Sequence, residues 1–319
     1  MIAASATAAA IGLAATLVAV LPGRSAPPSP APAGSPGLFS PFTGEPVSAL
    51  GPVLAVKIDN LAQARPQTGL TGADIVYVIP VEGGLSRILA VFSSHFPPVI
   101  GPVRSAREDD VELLRQFGRP AFAYSGAQPQ LLPVVEKART VDLYDGRVGG
   151  YFRDPHRAAP HNLYAHTSRL LAEAPGASKA HDIGFRFGPA PPGGRAMTSF
   201  SVSYPAAAFM VRWSAQDGRW LVWMDGAPAT AAEGGQLSAP TVVIQYTKVR
   251  TSRFLEAGVR PPYAESTGVG TGVVLRGGQA YAIRWSRPDA DGGTTFTTTS
   301  GQAMTFARGP VWVVLAAAP

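Results

Sequence analysis

The chain has 319 residues, enough for two domains of ordinary size that each bury a core. Its 46% hydrophobic and 15% charged content excludes a mainly disordered chain. The absence of cysteine excludes disulfide scaffolds, thiol catalysis, cysteine-ligated zinc and a lipidated cysteine anchor in this sequence.

The net charge of +6 favours an anionic partner, such as an anionic envelope polymer. The basic residues are scattered and do not form runs, so nucleic acid is a less favoured partner. A composition rich in Ala, Gly, Pro and Arg is also typical of a GC-rich coding sequence. The charge alone therefore selects no ligand.

The N-terminus is apolar. Residues 2–21 contain no charged side chain and are about as long as a bilayer core is thick. We expect residues 1–21 to form a signal or membrane-anchor helix, and the rest of the chain to be extracytoplasmic, either membrane-anchored or secreted. The sequence shows neither a basic region nor a clear cleavage site, so cleavage stays open. Residues 22–46 are rich in Pro and Ser and predict an extended linker.

The next segment predicts an α/β domain with a mixed sheet over residues 47–190. Apolar runs predict strands over 53–59, 73–81 and 85–94. The pair Gly83-Gly84 predicts a two-residue hairpin turn between the last two strands, with Pro80 facing Arg87. In that register Glu82 and Arg87 are diagonal neighbours on one face of the sheet and can meet.

Helices and strands alternate beyond this hairpin, which favours a layered α/β arrangement. Ser105, followed three residues later by Glu108, predicts a capping box at the start of a helix over 106–117. Two arginines at a helix start gain nothing from the helix dipole, so we expect an acidic partner or an anionic ligand there. The other predicted elements are strands over 121–125 and 140–144, helices over 130–138 and 167–173, and a loop over 145–161.

The last part of the chain, residues 200–319, predicts a β-rich (α+β) domain. Short alternating strands are separated by turn signals such as Gly277-Gly278. They are predicted over 210–213, 219–223, 241–248, 272–275, 280–285, 294–298 and 311–315. All five tryptophans lie on these strands, where core packing is the favoured role.

Several short strings, in the same order, resemble the YerB-like lipoproteins, a two-domain family of unknown function. They are residues 41–44 (PFTG), 57–60 (KIDN), 64–70 (ARPQTGL), 73–77 (ADIVY), 82–84 (EGG) with Arg87, 101–107 (GPVRSAR) and 160–164 (PHNLY), with looser likeness at 277–281, Trp285 and 309–312. The resemblance implies two domains matching 47–190 and 200–319. It does not carry over lipidation, because the chain has no cysteine.

One region concentrates the chemistry. Asp59 and Asn60 follow the first strand, and residues past the carboxyl ends of strands usually line the ligand crevice of an α/β sheet. Arginine suits bidentate capture of phosphate or carboxylate. We predict as ligand-binding residues Asn60, Arg65, Arg87, Arg104, Arg107, Arg153 and Asn162, and as candidate catalytic residues Glu82, His161 and Asp59. The alternative is an internal ion-pair network in which acidic side chains brace the arginines.

Cofactor and metal motifs are missing from the sequence. There is no phosphate-binding loop, dinucleotide fingerprint or serine-hydrolase motif, so we predict no cofactor. His156, His161 and His166 are five residues apart. Neither a helix nor a strand points two side chains with that spacing toward one metal ion, so we predict no metal site.

Three functions remain open at this stage. The favoured one is an extracytoplasmic, membrane-tethered protein that binds an anionic, phosphate- or carboxylate-bearing envelope or nucleotide-like ligand in an arginine-lined cleft. The second is a hydrolase of phosphodiester or glycan bonds that uses Glu82 or His161 as a base. The third is a structural protein-interaction module. The sequence decides neither the ligand nor the oligomeric state.

Overall fold

The computed structural model describes residues 1–2, 37–256 and 258–318. Residues 3–36, which hold nearly all of the predicted N-terminal helix and most of the predicted linker, lie outside the described residues. In the described ranges no helix is both long and apolar enough to cross a bilayer. Gly37–Pro319 is one compact unit. Ser40, Phe42 and Thr43 are already buried in it, ahead of the predicted end of the linker.

The described residues form three α-helices, four short 3₁₀ turns and 21 strands. The helices are α1 (Glu108–Leu114), α2 (Leu132–Glu136) and α3 (Thr167–Ala172), and the 3₁₀ turns are Ala62–Ala64, Leu70–Gly72, Glu82–Gly84 and Arg115–Phe117. The first strands are β1 (Leu54–Ile58), β2 (Ile75–Pro80), β3 (Ser86–Phe92), β4 (Val99–Ile100), β5 (Ala121–Tyr124), β6 (Val141–Tyr144), β7 (Tyr151–Arg153) and β8 (Leu163–His166).

The second half of the chain is made of strands. They are β9 (Arg195–Ala196), β10 (Ser199–Tyr204), β11 (Ala207–Ser214), β12 (Arg219–Met224), β13 (Ala227–Pro228), β14 (Ser238–Ala239), β15 (Thr241–Thr247), β16 (Val249–Thr251), β17 (Pro262–Ala264), β18 (Gly268–Arg276), β19 (Gln279–Arg287), β20 (Thr295–Thr298) and β21 (Val311–Ala317). The predicted fold class, an α/β part followed by a β-rich part, is confirmed.

One large mixed sheet organises the molecule. Its order is β20-β19-β18-β15-β21-β2-β3-β1-β5-β6, with β9 beside β19. The last strand of the chain, β21, lies in the middle of this sheet, parallel to both β2 and β15. The N-terminal and C-terminal parts of the chain therefore share one continuous sheet.

Both faces of this sheet are covered, because its central strands are apolar on both sides. In β1, for example, Leu54 and Val56 belong to one core and Ala55 to the other. The first core packs against the β10–β14 sheet, where Phe209 stacks on Trp312 at a ring distance of 5.9 Å. The second core packs under α1 and α2.

Strand direction brings several strand ends to one edge. Strand β3 is antiparallel to β1 and β2, so those two run the same way, and β5, β6, β15 and β21 run with them. The carboxyl ends of six strands therefore meet at one edge of the sheet. This edge carries the candidate functional residues.

The hairpin prediction needs one correction. Strands β2 and β3 do pair, but Pro80 faces Ser86, and Arg87 faces Ile79. The loop has three residues, Glu82–Gly84, because Val81 N–H donates to the Leu85 carbonyl. Both glycines have φ near +70°, and a Cβ at Gly84 would lie 2.6 Å from Pro205. That geometry puts Glu82 in the turn itself.

The predicted capping box is wrong by two residues. Helix α1 begins at Glu108 with Arg107 as its N-cap, and the Arg107 N–H donates to Asp110 Oδ2 at 2.7 Å. The chain stays extended through Ser105 because the Ala106 N–H donates to the Gly126 carbonyl. A short strand, β7, also forms inside the predicted loop at 145–161.

Candidate functional site

The carboxyl edge of the sheet gathers most of the predicted site. Asp59 and Asn60 follow β1, and Glu82 follows β2 at the same edge. Arg104 and Arg107 reach it from the segment before α1, and His161 reaches it from the loop before β8. The side chains form two adjoining clusters.

The first cluster is an ion-pair network around Glu82. Arg107 donates to both carboxylate oxygens, from Nε to Oε2 at 2.8 Å and from Nη2 to Oε1. Arg87 Nη2 donates to the same Oε1 at 3.0 Å, so the predicted pair with Glu82 forms. Both guanidinium groups also donate to the Ser105 carbonyl. Glu256 lies 3.4 Å from Arg107 and adds a second carboxylate.

This network holds Glu82 ionised. Burial by itself raises the pKa of Glu82, but the hydrogen bond from Arg107 and the charges of Arg87 and Arg107 outweigh it and lower the pKa to about 2. Burial, together with the charge of Arg107, lowers the pKa of Arg87 to about 10. A carboxylate with so low a pKa is a weak base. Glu82 is thus better suited to positioning arginines than to accepting a proton.

The second cluster joins Asp59, His161 and Arg104. Asp59 is fully buried, and its Oδ2 lies 2.8 Å from His161 Nδ1 and 3.2 Å from Arg104 Nε. No hydrogen-bond partner for His161 Nε2 occurs among the described residues, and the same holds for the two terminal nitrogens of Arg104. These nitrogens are not among the fully buried unpaired atoms either. A buried carboxylate thus orients an imidazole beside a guanidinium group whose outer donors remain available.

Asn60 and Arg65 support the loop between β1 and β2. Asn60 Nδ2 donates to Ser86 Oγ at 2.9 Å, and its Oδ1 accepts from Gln67 at 3.0 Å. Arg65 Nη2 donates to the Asn60 carbonyl at 2.6 Å and pairs with Asp225 at 2.8 Å. Both side chains are therefore committed to protein partners.

Arg153 and Asn162 meet at the end of the β7–β8 pair, where Arg153 is opposite Leu163 and Asn162 directly precedes β8. Arg153 Nη1 donates to Asn162 Oδ1 at 2.9 Å, and Asn162 Nδ2 donates to the Asp154 carbonyl at 3.3 Å. Asn162 is buried, whereas Arg153 is exposed. The pair lies next to His161 along the chain and stiffens the loop that carries it.

Two family profiles match this chain. Residues 42–181 match the family described as "Protein of unknown function (DUF3048) N-terminal domain", and residues 200–313 match its C-terminal domain. The chain belongs to the DUF3048 family. This confirms the family resemblance seen in the sequence.

This DUF3048 chain is similar to the YerB protein of Bacillus subtilis, both in sequence and in fold. The sequence from strain 168, named "Putative lipoprotein YerB", is 37% identical over 135 residues, which span 40% of each chain. The crystal structure of the YerB protein has a TM-score of 0.73 at 22% identity, and the match covers 87% of this chain and 96% of that one. At that identity the likeness concerns the fold.

This DUF3048 protein also carries a buried acidic group that the sequence analysis missed. Lys57 Nζ pairs with Asp110 Oδ1 at 2.6 Å, and both side chains are fully buried. Asp109 is buried beside them, and within residues 37–256 and 258–318 only its Oδ2 has a partner, the Ala264 N–H at 3.5 Å. A signal was available, since Lys57 interrupts an apolar strand and needs an acidic partner there.

Helix α1 of this DUF3048 chain also holds the segment around β17 through its other acidic side chains. Glu108 accepts from Ser252 Oγ and from Arg253 Nε at 2.7 and 2.6 Å. Glu112 accepts from Tyr263 Oη at 2.8 Å and from the Ser266 N–H at 2.9 Å. These contacts join residues about 150 positions apart, so no local sequence pattern reports them.

Proposed function

We propose that this DUF3048 protein binds the phosphate or carboxylate group of an envelope or nucleotide-like ligand at Arg104 and His161. The observation that carries the proposal is the geometry of Arg104. Its Nε lies 3.2 Å from Asp59 Oδ2, an ion pair without hydrogen-bond alignment, and its two terminal nitrogens have no partner in the described part of the chain. A guanidinium group beside a buried carboxylate, with its two outer nitrogens available as donors, suits bidentate capture of an oxyanion.

The other predicted arginines support this site without holding the ligand. Arg65 pairs with Asp225, and Arg87 and Arg107 share Glu82. We therefore combine the two original alternatives. The Glu82 cluster is the internal brace, and the Asp59 cluster beside it is the ligand site.

The location of the protein is also a proposal. We infer that it is extracytoplasmic and tethered to a membrane through residues 2–21. The uncharged N-terminal stretch, the Pro/Ser-rich segment after it and the lipoprotein name of the Bacillus relative support this. Because the chain contains no cysteine, the tether would be the apolar segment and not a lipidated thiol.

Thermal unfolding of the full chain tests anion binding. The probes are inorganic pyrophosphate, ATP, citrate and poly(glycerol phosphate), each titrated against wild type, Arg104→Gln and Arg284→Gln. A bound anion at about 100 times its Kd stabilises the native state by about 2.7 kcal/mol and raises the Tm. We expect this rise in wild type and in Arg284→Gln, an exposed arginine on β19, and its loss in Arg104→Gln.

The comparison is made against each variant's own Tm without ligand, so any intrinsic loss of stability cancels. If none of the four anions raises the Tm of wild type, the proposal fails. In that case both clusters act only as internal braces.

A second function, hydrolysis, is favoured by one observation. The fully buried Asp59 lies 2.8 Å from His161 Nδ1, and Nε2 has no partner among the described residues. That arrangement fits an imidazole that accepts a proton from water, with Arg104 stabilising the negative charge that develops on the substrate. Glu82, with its lowered pKa, fits the base role less well than His161.

The test of hydrolysis separates turnover from binding. With bis(p-nitrophenyl) phosphate as substrate, we expect His161→Gln to lose about 100-fold or more in kcat. His156→Gln, an exposed histidine in the same loop, is the matched control and should keep full turnover. Equal rates in the two variants, or no turnover above background in wild type, would exclude this function for that substrate class.

A further inference from the structure

A cavity lies beside the Glu82 turn and is lined by none of Asp59, Arg104 and His161. Its volume is about 510 Å³. The turn between β2 and β3 forms one wall, the turn after β10 a second, and the β16–β17 segment a third. The end of β21, at Ala317, also lines it.

The lining is mostly apolar. It includes Val81, Leu85, Tyr204, Pro205, Val249 and Val259. Val249 and Val259 are 36% and 57% exposed, and Leu255, on the same segment, is 43% exposed. Isolated exposed apolar side chains are ordinary, but Val249 and Val259 both line this apolar cavity and extend its surface to the outside.

The charged side chains of the cavity leave one cation without a carboxylate. Glu82 is neutralised by Arg87 and Arg107, and Arg250 lies 3.4 Å from Glu265. Arg260 donates only to the Ser252 and Arg253 carbonyls, with no acidic side chain within 4 Å among the described residues. The cavity thus offers an apolar wall and an uncompensated positive charge.

We propose that this cavity binds a single-chain anionic lipid, with the hydrocarbon chain against Val249, Val259 and Leu85 and the anionic head group at Arg260. Charge complementarity selects this occupant over a neutral one. A small hydrophilic anion is excluded as the main ligand, because it has no apolar surface of its own and gains no free energy by covering the apolar wall. The site is separate from the anion site at Arg104, so either can fail without the other.

The experiment titrates full-length protein with the fluorescent fatty acid cis-parinarate. Palmitate should displace the probe, and hexadecanol, which has the same chain and no charge, should displace it more weakly. In Val249→Glu a carboxylate would lie against the hydrocarbon chain of the probe. We therefore expect this variant to bind cis-parinarate about tenfold or more weakly than wild type. Val269→Glu, which changes a 78% exposed valine on β18, should bind like wild type.

The head-group role is tested in the same assay. Arg260→Gln should lose the preference for palmitate over hexadecanol, while Arg284→Gln keeps it. Because every variant carries the N-terminal apolar segment, binding of the probe to that segment is the same in all of them.

Three outcomes would overturn the proposal. Equal affinities of Val249→Glu and Val269→Glu would place the probe elsewhere. Equal displacement by palmitate and hexadecanol in wild type would show that the cavity does not recognise an anionic head group. Absence of probe binding, combined with an oligomeric state that changes in Val249→Glu, would make the surface an interface between copies of the chain.

Discussion

Asp59 is the residue on which the proposed site depends. It is fully buried, and its carboxylate is flanked by His161 and Arg104 at 2.8 and 3.2 Å. A buried carboxylate is expensive unless charged or hydrogen-bonding groups compensate it. The requirement that Asp59 be compensated therefore also holds the imidazole and the guanidinium group in place.

Asp109 is the buried acid with the weakest compensation. Its burial, followed by the charge of Asp110, raises its pKa from 3.8 to about 7. Because the folded-state pKa lies above the unfolded value, the contribution of Asp109 to stability is complete below pH 3.8 and is lost as the pH rises to about 7. The ionised form thus destabilises the native state at higher pH.

We expect Asp109→Asn to raise the free energy of unfolding at about pH 8 by roughly 2 kcal/mol, because the amide has no charge to desolvate. Near pH 4 the two proteins should differ little, since the carboxyl group is then protonated. Urea unfolding at the two pH values measures this. A change of the same size at both pH values, or a loss of stability at pH 8, would contradict the assignment.

Helix α1 acts as an acidic clamp at the scale of elements. It is only two turns long, yet Glu108, Asp109 and Glu112 all reach the segment around β17. Such a short helix has little stability of its own and depends on these tertiary contacts. The same contacts hold one wall of the 510 Å³ cavity in place.

We expect Glu112→Ala to loosen the segment around β17. The substitution leaves the Ser266 and Thr267 N–H groups and the Tyr263 hydroxyl without their acceptor, and hydrogen bonds to a charged group contribute about 1.5–3 kcal/mol each. Hydrogen exchange followed by mass spectrometry should show faster exchange in residues 262–267. Glu173→Ala, which changes an exposed glutamate after α3, should leave the exchange rate of these residues unchanged. If the amides of residues 262–267 exchange equally slowly in Glu112→Ala and wild type, helix α1 is not required to hold this segment.

At the largest scale, β21 joins the N-terminal and C-terminal strands of the unit over residues 37–319. This strand pairs along seven residues with β15 and along four with β2, in the middle of the large sheet. The predicted division into domains at 47–190 and 200–319 stays a prediction. Its boundary nevertheless separates strands that are hydrogen-bonded neighbours in one sheet.

We expect residues 37–319 to unfold in a single cooperative transition, because opening either half breaks the pairing of β21 and exposes both cores. Calorimetry of the full chain should give a calorimetric enthalpy equal to the van't Hoff enthalpy. Two resolved transitions would instead favour independent domains. As a second variant, Val313→Asp, which buries a charge in β21, should lower the stability of the whole unit by about 4 kcal/mol.

Local pattern was enough to predict much of this protein. Alternating and apolar runs located nearly all the long strands, and Gly83-Gly84 indicated the hairpin that brings Glu82 and Arg87 together. The position of Asp59 and Asn60 at a strand's carboxyl end was also readable. These features depend on residues close in sequence, where backbone geometry sets the neighbours.

Only the tertiary structure decided which charges meet. His161 meets Asp59 from 102 positions away, Glu82 binds Arg107 in addition to the predicted Arg87, and the C-terminal β21 enters the sheet beside β2. The hydrophobic periodicity of a segment predicts which of its faces is buried, but it does not predict which other segment packs against that face. The sequence by itself thus determined most of the elements and their apolar faces, and the folded chain determined which distant charges pair and which arginine keeps unpaired donors.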